Sequence, residues 1–254
     1  MKRLVCAALA LAFPALQASA AEDAQSLYQS GKFGQAIAAA VALNTAPGFA
    51  LAAHASLADA MMRSPCLPCL QRAEEFARKA VAADPKLAEG HLYLAVSLGY
   101  QARIVGVVRA RLGGYPEEAR RNLDAALAAD PANAQALAAS GGWNIEIVRG
   151  GGALLARWLY GASVGTGLDE FAAAFRAAPG NVVLRYQYAL SLGGFDLRAY
   201  RNDVEDALTR AVTGTPSTAY DAFAQSRARE LLAALKRNDD AGFARLLKRD
   251  QGYP

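Results

Sequence analysis

Four times along the chain a small or apolar residue is followed by an apolar residue four positions on, an alanine three further, and a proline five beyond that. The sets are Ala73/Ala77/Ala80/Pro85, Ala119/Leu123/Ala126/Pro131, Gly167/Phe171/Ala174/Pro179 and Val204/Leu208/Ala211/Pro216. Steps of four and three bring side chains onto one face of an α-helix, and a proline just beyond stops the helix by removing a donor and crowding the preceding turn. Each set therefore marks the buried face and the end of the second helix of a helical hairpin. A hairpin cannot bury such a face alone, so hairpins repeated in register stack and share a continuous core. The expected fold class is all-α.

The register continues past each proline. Ten residues on stand Ala95, Gly141, Ala189 and Ser226, all small, as a close helix crossing requires. With Gly31-Lys32-Phe33 and Gly114-Tyr115-Pro116 at two hairpin turns, the pattern resembles the tetratricopeptide repeat over residues 24–237. The resemblance implies a right-handed superhelical solenoid of TPR-like helical hairpins whose first helices line a concave face. The four prolines lie 46, 48 and 37 residues apart, against about 34 in that family. The first excess is predicted to lengthen a single helix across residues 86–112. The second contains Gly150-Gly151-Gly152, predicted to break a helix before the short apolar segment 153–160. Enlarged middle repeats, with His91-Leu92-Tyr93-Leu94-Ala95 opening one and Gly142-Trp143 in the next, resemble two branches of the superfamily. These are the helical domain of regulator of microtubule dynamics proteins and the periplasmic T component of TRAP-type transporters.

Residues 1–20 stand apart from the repeats. Lys2 and Arg3 precede the apolar stretch 4–16, and Ala18-Ser19-Ala20 places small residues where a signal peptidase reads them. Residues 1–20 are thus expected to be a cleaved signal peptide, and residues 21–254 a single repeat domain ending in capping helices, periplasmic or secreted. The apolar stretch is shorter than the roughly 20 residues of a spanning helix, so no stable membrane insertion is expected. The net charge of +4 falls to +2 without Lys2 and Arg3, too mild and too evenly spread for nucleic acid as a partner.

Among candidate chemical groups, Cys66-Leu67-Pro68-Cys69 has the spacing of redox motifs, but the usual strand-to-helix context is missing. In an exported protein the pair Cys66 and Cys69 is expected to form a local disulfide. Thiol redox chemistry is the lesser alternative, and two thiols without a neighbouring histidine fall short of a structural zinc site. His54 and His91 occupy the same hairpin position, six residues past Gly48 and Pro85, so packing explains both better than catalysis. The glycines at 150–152 and 165–167 lack the strand and the Lys-Ser/Thr of a phosphate loop. Glu117-Glu118 and Asp239-Asp240 stand at helix starts, where the helix dipole favours them. No catalytic residue, metal or cofactor is assigned, and the chain is expected not to be an enzyme.

What remains is the concave face. The resemblance points positions seven and eleven past each proline inward, which gives Leu92 and Val96, Ala138 and Gly142, Tyr186 and Leu190, and Phe223 and Arg227. The face is apolar and lacks a basic cluster for a peptide's terminal carboxylate. Leu92, Val96, Ile145, Tyr186 and Leu190 are the candidate groove residues, expected to take a protein segment or an apolar small ligand. The leading expectation is a non-enzymatic exported scaffold that binds a protein segment. Its rival is an accessory component of a solute-transport system holding a hydrophobic ligand, and a thiol redox factor comes third.

Overall fold

A computed structural model of the protein describes residues 19–253; most of the expected signal segment lies outside them. Among the described residues the fold is all-α, with fourteen helices and no strand. The first, α1, runs to residue 29. It is followed by α2 (Phe33–Ala42), α3 (Ala46–Arg63), α4 (Leu67–Ala83), α5 (Ala88–Val105), α6 (Val107–Leu112), α7 (Tyr115–Ala129) and α8 (Ala134–Gly151). The remainder are α9 (Ala153–Tyr160), α10 (Val164–Ala177), α11 (Val182–Asp196), α12 (Arg201–Thr213), α13 (Ala219–Lys236) and α14 (Asp240–Asp250).

The prolines explain the rhythm. Asp84, Asp130 and Ala178, each preceding a proline, leave the helical region, with φ of −147°, −140° and −141°, because the following ring disfavours it. Asp84 and Asp130 accept from the backbone N–H two residues on, at 2.9 and 3.1 Å, which tightens the turn. The next helix then begins three residues after the proline in all four cases. Asn133, Asn181 and Thr218 cap three of these starts, satisfying N–H groups that have no partner within the helix.

The repeat face is buried as its spacing requires: Ala73, Ala77, Ala80, Ala119, Leu123, Ala126, Phe171, Ala174, Val204, Leu208 and Ala211 all lie in the core. Small residues stand where helices cross. A Cβ on Gly141 would come within 2.7 Å of the Phe171 ring and 2.8 Å of the Gly167 carbonyl oxygen, and Gly167 meets the Gly141 carbonyl in return. Ala95 and Ala189 are buried at the same register, but Ser226 is exposed. The final helix of the series, α13, is rolled so that Ala224, Ala228, Leu231 and Leu235 face inward instead, because no further hairpin crosses it at Ser226.

The expected continuous helix across residues 86–112 is broken. Gly106, at φ 84° and ψ 159°, separates α5 from α6, and Gly152, at φ 78° and ψ 156°, separates α8 from α9. This region of backbone conformation is essentially restricted to glycine. Both glycines lie 21 residues past their prolines, so the two enlarged repeats carry the same device. Gly150 and Gly151, by contrast, remain within α8. The short helices that follow bury one residue each, Ala110 and Ala156, both four positions past the break.

Neighbouring helices pack in chain order from α2 to α5, then α5 on α7, α8 on α10, α11 on α12 and α12 on α13. Beyond α12 the chain turns back on itself. Helix α13 reaches α3 and α14 packs on α11, while Tyr220 joins the core of the N-terminal half. Past α14, Gly252 lies beside Pro65, Met61 and Tyr100. The two ends of the array are thereby tied together across its interior.

Candidate functional site

The closed array surrounds a cavity of about 1200 Å³, lined mainly by apolar side chains. Its walls come from α3, α5 and α8, with Leu57, Met61, Leu92, Val96, Ala138 and Trp143 among the lining residues. The exposed lining residues fall mainly at 106–111 and 149–159, with Ala244 and Lys248 of α14 also among them. There the cavity meets solvent, and α6 and α9 form that rim.

A polar cluster stands at the inner wall. Tyr28 Oη lies 2.8 Å from His54 Nε2, and Tyr93 Oη lies 2.9 Å from His54 Nδ1. Tyr93 donates to Gln135 Oε1 at 3.3 Å. The arrangement is satisfied when Nδ1–H donates to Tyr93 and Nε2 accepts from Tyr28. The imidazole is also sandwiched, with both tyrosine ring centroids 4.4 Å away. Burial lowers the His54 pKa to about 4, against a smaller opposing pull from Asp221. Burial likewise raises the Tyr28 and Tyr93 hydroxyls. The cluster is uncharged at neutral pH, and its protons are donated within it, so it presents hydroxyl oxygens to the cavity as acceptors.

Beside the rim, Arg103 and Arg149 share one carboxylate, that of Glu146. Arg103 donates to Glu146 at 3.2 Å and to the Gln251 carbonyl at 3.0 Å, and stacks over Tyr100 and Tyr253. Tyr253 donates to Glu146 at 3.2 Å, and Arg149 pairs with the same carboxylate. The C-terminal tail is therefore a wall of the cavity, held by residues of α5 and α8.

The five groove residues expected from the sequence are separated by the fold. Leu92 and Val96 line the large cavity, as do Ala138 and Gly142 at the same register of the next repeat. Ile145 is fully buried between α8 and α10, against the Gly167 crossing. Leu190 is core, its carbonyl accepting from Gln251 at 2.8 Å. Tyr186 borders a separate pocket of about 270 Å³ with Phe223, Arg227 and Asp250. Its hydroxyl is pushed well up, by burial first and then by Asp250. In this part of the molecule the chain's own α14 and tail occupy the concave side.

Cys66 and Cys69 are joined by a disulfide, with Cα atoms 5.1 Å apart. The bridge lies at the start of α4, which begins at Leu67, and Cys69 N–H also meets Cys66 Sγ. His91 sits between Asn122 Oδ1 and the Pro85 carbonyl, away from the cavity. Among the described residues no group of His, Cys, Asp and Glu is placed to hold a metal ion, and no helix is long and apolar enough to cross a membrane. Sequence reasoning missed Tyr28, Tyr93, Gln135 and Arg103 because their partners lie 26 to 148 residues away. The glycine recurring 21 residues past two prolines was the available signal for the rim. No protein-family model matches the chain, and no curated protein matches it.

Proposed function

We propose that the protein is a non-enzymatic binding protein that holds an apolar small molecule in its interior cavity, a role fitting an exported, TPR-like accessory component of solute uptake. The carrying observation is the cavity itself: about 1200 Å³, apolar in lining and open at one rim. Ligand pockets commonly span roughly 300–1,000 Å³, so there is room for a long apolar body. A helical protein segment, the other occupant expected from sequence, needs an open concave face, and α13, α14 and the tail cross that face. The neutral Tyr28–His54–Tyr93 cluster suits an uncharged polar group on the ligand better than a carboxylate, which a histidine kept neutral cannot pair.

Fluorescence titration with 11-dansylaminoundecanoate and its methyl ester tests the reading. Both probes are expected to bind saturably, the ester at least as tightly. Val96 is partly exposed toward the cavity, so Val96→Trp fills space without removing core and should weaken both probes about tenfold or more. Absence of saturable binding, or unchanged affinity in a folded Val96→Trp variant, overturns the proposal. Competition by an unrelated amphipathic peptide at equal strength assigns the site to protein segments instead.

A further inference from the structure

Among the described residues, the exposed large hydrophobic side chains all lie on α6 or α9. Leu154 and Leu112 are each 84% exposed, Trp158 79% and Val108 72%. Both helices are short, both are set off by a glycine at the same register, and each buries a single alanine. They belong to one surface, since Val107 of α6 stands within 3.7 Å of where a Gly150 Cβ would lie, just before α9. Scattered exposed apolar residues are ordinary, but their concentration on one patch marks a contact surface.

The charges on the two helices are basic, and one exposed carboxylate, Glu117, stands beside them, accepting from Tyr160 at the end of α9 at 3.0 Å. Arg109, Arg111 and Arg157 are exposed and form no ion pair among the described residues, and neither helix contains an Asp or Glu. We propose that α6 and α9 form a docking patch for an anionic lipid surface. Leu154 and Trp158 enter the headgroup region and the three arginines meet lipid phosphates. Tryptophan favours this interface because its ring is apolar and its N–H is polar, and basic residues add attraction to anionic lipid. A twofold contact between two copies would set the same patch against itself, bringing like-charged arginines together. Lipid offers the complementary charge. The mild net charge of the chain hides this, because opposite charges elsewhere balance it. The inference goes beyond the cavity reading and stands without it.

The test is co-sedimentation of the purified protein with phosphatidylcholine vesicles, with and without phosphatidylglycerol, read together with tryptophan emission. Binding to the anionic vesicles is expected, with a blue shift from Trp158, and is expected to weaken as salt is raised. Leu154→Ser/Trp158→Ser should lower vesicle partitioning about tenfold or more. Arg109→Gln/Arg111→Gln/Arg157→Gln should remove the preference for anionic vesicles while the fold, followed by circular dichroism, is unchanged. Failure of the protein to bind either vesicle overturns the proposal, as does undiminished binding by both folded variants. A serine variant that turns an oligomer into a monomer in sedimentation velocity, with no vesicle binding by the parent, assigns the patch to a second copy. The cavity probes are measured without vesicles, so failure of either reading leaves the other in place.

Discussion

The helix crossing behind the cavity and the rim at its mouth are built from the enlarged repeats by opposite means. At the crossing, α8 and α10 approach until a side chain larger than glycine at 141 or 167 would meet backbone, and Ile145 beside them has no exposed surface. At the rim, α6 and α9 leave most of their apolar side chains in solvent. The shorter repeat that follows has no such segment: α11 and α12 are joined by residues 197–200 alone. The additional length of the enlarged repeats therefore went into a rim and not into a larger core, and the rim glycines set its direction.

The largest effects should fall on the crossing. Gly141→Leu drives a side chain into Phe171 and the Gly167 carbonyl and should cost about 3 kcal/mol or more, while Ile145→Ala should cost about 2 to 5 kcal/mol. Urea denaturation measures both, and midpoints near the parent's would show that the crossing is looser than described. Ala132→Leu, on an exposed turn, serves as the neutral control.

His54 tests the interior next. Its folded pKa, about 4, lies below the roughly 6.5 of an unfolded histidine. The unfolded chain therefore binds the proton first. The stability linked to His54 is fully present above pH 6.5 and is lost as pH falls toward 4, by on the order of 2 to 3 kcal/mol. His54→Gln should remove that part of the acid sensitivity. A parent and variant with parallel stability–pH curves would place His54 in contact with bulk water.

The rim glycines come third. Gly106→Ala and Gly152→Ala should each cost about 1 to 3 kcal/mol, although a Cβ at either position meets no atom within 4 Å. The penalty is conformational, so the two should be alike. Gly99, equally uncrowded but inside α5, should gain about 0.5 to 1 kcal/mol on replacement by alanine. A similar sign for all three would remove the distinction between hinge and helix glycines. The smallest effect belongs to the rim side chains: Leu154→Ser/Trp158→Ser should change stability by no more than about 0.5 kcal/mol, checked by thermal melting. A larger loss would mean that α9 is packed and not presented.

The sequence by itself determined the helices, their ends and their buried faces. These depend on residues three, four and five apart, on prolines that forbid continuation, and on cap residues beside their N–H groups, all short-range effects. It determined the all-α class and brought Cys66 within bonding reach of Cys69 for the same reason. Local periodicity could not tell whether Ile145 and Leu190 faced a groove or a core, since both demand the same apolar spacing. For Ile145 the close α8–α10 crossing decided it, and for Leu190 the place where α14 and the tail came to rest. Only the tertiary structure decided the closure, through contacts such as Arg103 with Gln251, 148 residues apart. It also placed Tyr28 and Tyr93 on either side of His54. The direction of each hairpin sums over all those before it, so a cavity enclosed by the whole array has no signature in any single stretch of the chain.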